Sequence, residues 1–387
     1  WALAQRGHAV SVLAPRIGHA AERPGPVAVQ RLPAVRWPGS AAHLALPRAR
    51  GWIEEWRPDL VVIALPFPIG LAALRAARAT GRPVIGVTST MPAWLSARLS
   101  LPRWGTSALE ALLWGGLVAC YERCTSVIAV SRTALGLLRR HGLTRPACVI
   151  SNGVPLDTFR PRPRDGNLAA RLGVPAKPTV LYTGRLDADK RLDRLLSGFA
   201  LLRARYDAHL LLVGDGAARR TVQCLARQVG LAADVTMTGF LPPADYARVF
   251  SLADVFAITS PAELQSIATL EALASGLPVV AVAAGALPEL VVDGVNGRLV
   301  PPNAPTALAD TLAEVLTQAE RRAALGRAAR RTAEGHDLRR TLDAYESVLG
   351  AVVQAHRAEA TSAGAPLPSR RSNSFGGRVA RVDKQSR

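Results

Sequence analysis

Residues 254–282 constrain the fold more than any other stretch of this 387-residue chain. Asp254-Val255-Phe256-Ala257-Ile258-Thr259 is a short apolar run of the kind that forms a buried strand, and Pro278 to Val282 is a second. Between them the pattern predicts a helix. Ser266 offers an N-cap near its start, while Gly276, with Pro278 just beyond, marks its end. This arrangement sets Glu263 in the loop at the helix mouth and Glu271 inside the helix, eight residues on. A helix mouth presents unpaired N–H groups and a positive dipole end to a phosphate, and two carboxylates accept hydrogen bonds from sugar hydroxyls. The spacing suits a polyol joined to a diphosphate.

The same alternation recurs along the chain. Pro58 to Ala64 reads as a buried strand, Gly70 to Ala79 as a helix and Pro83 to Val87 as the next strand, which means a parallel sheet with right-handed crossovers. In the second half, strands at Thr179–Thr183, His209–Val213, Val235–Thr238, Val255–Ile258 and Pro278–Val282 are separated by helical stretches, the pattern of a doubly wound α/β domain. Ligands of such sheets lie beyond the strand carboxyl ends. The chain is long enough for two cores, and Pro161, Pro163, Asp165 and Gly166 read as a hinge between them. We therefore expect domains at 1–160 and 161–335, a helix at 336–358 crossing back onto the first domain, and a basic tail at 359–387 with little to bury.

Glu263 and Glu271, followed by Ala272-Leu273-Ala274-Ser275-Gly276-Leu277-Pro278-Val279-Val280-Ala281, resemble the E-x7-E signature of retaining glycosyltransferases of family 4. That family has the GT-B fold, two Rossmann-like doubly wound domains facing across a cleft. The resemblance extends over most of Ser126 to Pro301. Gly184-Arg185-Leu186-Asp187-Ala188-Asp189-Lys190 resembles the family's G-R-L-x-x-x-K, implying that Arg185 and Lys190 neutralise the donor diphosphate as it departs. Gly214, in Val213-Gly214-Asp215-Gly216, matches a tight turn near the nucleotide, and Phe240 and Leu241 match the stretch that cups the base. By the same resemblance Glu271 takes the ribose hydroxyls and Glu263 the transferred sugar. Gln265, Ser266 and Ile267 line the donor between them, where many relatives have glycines. The implied reaction moves a hexose from a UDP- or GDP-sugar to a lipid or saccharide hydroxyl, with no metal and no further cofactor.

Two departures from the family pattern leave a second reading open, a remnant that binds sugar nucleotide or membrane without turnover. Relatives commonly carry a histidine in the loop after the second strand of the first domain, and Ser89 stands at the best-matching position. A serine hydroxyl cannot share a proton as an imidazole does. The family's first strand and glycine-rich loop have no counterpart before Trp1, so the expectation is a chain that starts inside its first domain.

The net charge of +19 could draw the protein to anionic partners. Nearly all of it is arginine, the lysines being Lys177, Lys190 and Lys384, and no nucleic-acid-binding module is recognisable. The segment 93–124 mixes Trp94, Trp104 and Trp114 with Arg98, Arg103 and Arg123, which suits either an anionic membrane surface or a helix packed on the sheet. No apolar run approaches the ~20 residues that cross a bilayer. The expected location is cytoplasmic, with peripheral attachment to the inner face of the membrane as an option. Cys120, Cys124, Cys148 and Cys224 read as reduced thiols, the first pair as core packing.

Overall fold

The computed structural model describes residues 1–16, 26–36, 43–45, 49–64, 66–88 and 103–362. Ser89, the start of the aromatic and cationic segment, and the tail from residue 363 lie outside them.

In the first half, β1 (Val10–Pro15) pairs in parallel with β2 (Val27–Leu32), and β3 (Ala34–Arg36) pairs antiparallel with β4 (His43–Ala45). A separate parallel sheet runs through β5 (Val61–Ile63), β6 (Val84–Thr88), β7 (Ser126–Ala129) and β8 (Ala147–Val149) in that order. Among the described residues the first-domain strands therefore form three separate sheets. Leu13 of β1 and Val61 of β5 pack on one shared cluster, Ala49, Ile53, Ala73 and Ala76, while Val12 and Val62 are exposed.

The second half is a single six-stranded parallel sheet built from β9 (Thr179–Thr183), β10 (His209–Val213), β11 (Val235–Gly239), β12 (Val255–Ile258), β13 (Val279–Val282) and β14 (Gly297–Val300). Its order is β11-β10-β9-β12-β13-β14. Every residue of β9, β10, β12 and β13 is buried, because helices cover both faces. Leu181, Phe199, Leu211, Phe256, Leu273 and Leu312 belong to this core. The chain winds outward from β9 to β11, then returns to β12 on the other side of β9. The strand order reverses between β9 and β12, and in sheets of this kind the ligand crevice lies beyond the strand carboxyl ends at such a reversal.

The last helix, Leu338–Ser362, returns to the first domain. Its Ala344, Tyr345, Val348, Leu349 and Val352 cover Ile85, Val87, Ile128 and Ile150 on one face of the four-stranded sheet. Arg6 pairs with Glu346 at 2.5 Å, and Arg357 with Asp59 at 2.7 Å. The return is tied at Val154, whose N–H donates to the His336 carbonyl at 2.8 Å and whose carbonyl accepts from Leu338 N–H at 3.0 Å. Cys120 and Cys124 lie in the first-domain core beside Tyr121 and Leu138, where burial pushes the Cys124 thiol up to about 12. All four cysteines are free, and among the described residues no cluster of His, Cys, Asp and Glu could hold a metal ion. Nor is any described helix long and apolar enough to cross a membrane.

Gly153 makes the crossing possible. It has φ +75°, and a Cβ there would lie 2.6 Å from Thr341 Oγ1 and 2.9 Å from Leu338 Cα. Gly153→Ala should lower stability by about 2–4 kcal/mol through left-handed strain and a backbone clash, read as a fall in the thermal unfolding midpoint.

Candidate functional site

The crevice is floored by glycine turns. Gly184 N–H donates to Val213 O and Gly214 N–H to Gly239 O, each at 2.9 Å, which draws the ends of β9, β10 and β11 together. Gly214 has φ +129°, and a Cβ on it would stand 2.0 Å from Gly184 O. Only glycine lets these backbones meet.

On that floor the turn after β9 carries its charges. The Arg185 guanidinium pairs with Asp187 and, at 3.3 Å, with Asp189. Asp187 is buried, and its second oxygen accepts from Ala217 N–H at 3.0 Å, so it is a fixed anchor for the arginine. Lys190 Nζ reaches across the strand reversal to Glu263 Oε1 at 2.8 Å and also meets Asp189 at 3.3 Å. The hydroxyl of Thr259, just past β12, donates to the Arg191 carbonyl at 3.0 Å and fastens the two loops side by side.

The helix Ile267–Ala274 starts at Ser266, whose Oγ accepts from Thr269 N–H at 3.1 Å. The N–H groups of the first two helical residues have no acceptor within the helix, and Glu263, held by Lys190, lies in the loop that leads into it. Glu271 lies one helical turn further in. Its Oε2 accepts from the Tyr246 hydroxyl at 2.5 Å, and that hydroxyl also lies 3.2 Å from Thr183 Oγ1. Burial pushes the Glu271 carboxyl up to about 7, against the opposing pull of the Tyr246 hydrogen bond.

The loop before the helix is held from the other domain. Ser131 caps the helix Arg132–Arg140 by accepting from Ala134 N–H at 3.0 Å, and the same hydroxyl donates to Leu264 O at 2.5 Å. Glu289 accepts from Arg132 N–H at 2.9 Å and Thr133 N–H at 2.5 Å, placing a carboxylate at the positive end of that helix. Leu264 is buried beside Ala129, Val130 and Ala134. The amide of Gln265 donates to Ser151 Oγ at 3.0 Å and accepts from Asn152 N–H at 2.7 Å. Ser151 Oγ is also 2.9 Å from His336 Nδ1, an imidazole whose proton affinity burial lowers.

Two family models divide the chain. The one described as Glycosyltransferase Family 4 matches residues 1–158, and the one described as Glycosyl transferases group 1 matches residues 168–332. A GDP-mannose-dependent alpha-mannosyltransferase from Mycolicibacterium smegmatis is 31% identical over 304 residues, 77% of this chain and 77% of that protein. The chain belongs to glycosyltransferase family 4. A D-inositol 3-phosphate glycosyltransferase from Segniliparus rotundus is 34% identical over 220 residues, 55% of this chain, and the match spans about half, 48%, of that relative. The sucrose-phosphate synthase structure from Thermosynechococcus elongatus aligns with a TM-score of 0.76 at 22% identity, covering 90% of this chain and 91% of that one, which makes the fold GT-B.

In this family 4 protein Arg185, Lys190 and Glu263 are linked through Asp189, and Glu271 reaches the end of β9 through the Tyr246 hydroxyl and Thr183, next to Gly184. Phe240 is exposed beyond β11 and Leu241 packs on the core. Ile267 is exposed at the helix start, whereas the Ser266 hydroxyl serves the cap and the Gln265 amide is engaged by Ser151 and Asn152. Tyr246 and His336 enter the site region without a local sequence signal, whereas Ser131 precedes a helix as a capping residue does and Ser151 opens a Ser-Asn-Gly-Val strand end like the family's, neither of which marks a contact with the loop of Glu263. Glu289 lies in Gly285-Ala286-Leu287-Pro288-Glu289-Leu290, which resembles a further string of the family, but nothing in that string marks it as a partner of the other domain.

Two outcomes follow from this geometry. Because Glu271 binds its proton more tightly in the folded chain than in the unfolded one, its contribution to stability is present below about pH 4.5 and is lost as pH rises through about 7. Chemical denaturation of Glu271→Gln should therefore show a gain over wild type at pH 8, on the order of 1–3 kcal/mol, that vanishes near pH 4. Glu289→Ala strips two helix N–H groups of their acceptor and should cost about 1–3 kcal/mol in the same measurement.

Proposed function

We propose that this chain is a retaining hexosyltransferase using a nucleoside-diphosphate sugar, GDP- or UDP-linked, as donor and a lipid or saccharide hydroxyl as acceptor. The observation that carries this reading is the Lys190–Glu263 pair at the mouth of the helix Ile267–Ala274, with Glu271 eight residues on and Arg185 beside it. In this reading Glu271 takes the ribose hydroxyls, Glu263 the transferred sugar, and Arg185 and Lys190 the diphosphate. The mannosyltransferase relative makes GDP-mannose the first donor to try.

In the free protein Arg185 and Lys190 are shared among Asp187, Asp189 and Glu263. Two cations facing three carboxylates do not attract a diphosphate strongly. The unpaired N–H groups at the helix mouth supply the first hold, and the cations turn to the phosphate as negative charge gathers on it in the transition state. Charge stabilisation is thus assigned to protein groups rather than to a metal. The anomeric C–O bond to phosphate breaks, and the acceptor oxygen bonds to the same face of an oxocarbenium-like carbon. The acceptor's proton passes to the departing diphosphate oxygen, so no protein base is needed.

Ser89 supports a second reading, donor binding without turnover, since a hydroxyl stands where relatives commonly have an imidazole. Calorimetry with GDP-mannose and UDP-glucose, alongside an assay for nucleoside diphosphate release onto lipid and saccharide acceptors, separates the two. We expect saturable donor binding with release, and binding about 10–100-fold weaker in Glu271→Ala. Binding with no release from any acceptor supports the second reading. No binding of either donor ends both.

A further inference from the structure

The hydroxyl of Tyr246 occupies one oxygen of Glu271 and leaves the other unused. Oε2 is engaged at 2.5 Å, whereas among the described residues Oε1 is hydrogen-bonded to no protein group. Tyr246 itself has little freedom to move. It lies on the short helix Pro243–Val249, and its ring sits edge-on to Phe250, with centroids 5.7 Å apart, and to Phe159, at 6.1 Å. Phe159 and Phe250 meet edge-on as well, at 5.6 Å, closing a three-ring cluster. Thr183 Oγ1, 3.2 Å from the tyrosine hydroxyl, ends β9 immediately before Gly184. The phenol is thus fixed by its ring on one side and by the strand end on the other.

We propose that Tyr246 is the positioning residue for the ribose-binding carboxylate: by holding Oε2 of Glu271 it locks that side chain in one rotamer and turns Oε1 towards the ribose hydroxyls of the donor. This rests on the donor assignment made above and adds to it a residue that touches no ligand. A carboxylate already held by one strong donor loses little rotational freedom when a diol binds, so the ribose meets a preorganised acceptor.

The same bond gives the site a pH signature. A hydrogen bond from a phenol favours the ionised carboxylate, opposing the burial that favours the acid form. The other charged groups of the crevice are Arg185, Asp187, Asp189 and Lys190 from the turn after β9 and Glu263 from the loop after β12. They pair with one another, and the proton affinity of Glu271 is governed by burial and by Tyr246. Removing the phenol oxygen leaves burial unopposed. The acid form then persists to higher pH, and diol binding is weakened more at neutral pH than in alkali.

Titration calorimetry of GDP and UDP against wild type, Tyr246→Phe, Thr183→Val and Glu271→Gln from pH 6 to 9 tests this. The phenylalanine variant keeps the three-ring cluster. It should bind roughly tenfold more weakly than wild type at pH 7 and recover part of that loss, though not all, by pH 9. Thr183→Val should shift the profile in the same direction by less, and it carries the test if Tyr246→Phe melts before it can be titrated. Glu271→Gln should retain only the titration of the nucleotide's own phosphates. If wild type binds and the variants are weakened by one constant factor at every pH, or not weakened, Tyr246 is packing and the proposal is wrong. If wild type binds neither nucleotide, the donor assignment itself is wrong, and this proposal falls with it.

Discussion

The arrangement depends on how the start of the helix Arg132–Arg140 satisfies its amides. A helix begins with four N–H groups that the helix cannot pair, and leaving them unpaired in a domain interface is costly. Here Arg132 and Thr133 donate to Glu289 and Ala134 donates to Ser131 Oγ, and the regular ladder begins with Leu135 donating to Ser131 O. Two of these three capped amides take their acceptor from the other domain. Ser131 returns its own proton to Leu264 O, in the loop that carries Glu263. The need to pair these amides thereby fastens the charged loop of one sheet to the helix start of the other.

Around this contact the crevice concentrates groups that a structure built for stability would avoid. Glu271 is a carboxyl held in a setting that favours its neutral form. Asp187, Asp189 and Glu263 crowd around two cations. Glycine turns at Gly184 and Gly214 forgo side-chain packing so that backbones can approach. Each feature costs folding free energy, and each lies at the carboxyl ends of β9, β10 and β12, where strand reversal opens a space. Elsewhere the second domain conforms to ordinary packing, with fully buried strands and helices on both faces. Local departures of this kind mark a site selected for binding.

The first domain follows a different logic. Among the described residues its strands form three separate sheets, and the last helix covers one face of the largest, with Tyr345, Val348 and Leu349 against Ile85 and Ile128. The second domain's terminal helix is in this sense part of the first domain's core. The two units are joined by burial there and by polar contacts at the cleft, around Ser131, Ser151 and Gln265.

The sequence alone determined the strands of the second domain, the helix between Glu263 and Glu271, its Ser266 cap and the family. These rest on local patterns: apolar runs of strand length, a capping residue, a terminating glycine and a specific string. Helix boundaries were legible for the same reason, whereas the strand expected at Pro278–Val282 begins only at Val279, because Pro278 has no N–H to give the ladder. What the tertiary structure decided are the partners. Which carboxylate meets Lys190, that Tyr246 holds Glu271, that Glu289 caps a helix 157 residues away, and that Gln265 serves the domain contact all depend on strand order and domain closure. Side chains far apart in sequence leave no periodic trace of their meeting, so only the folded chain can show which of them touch.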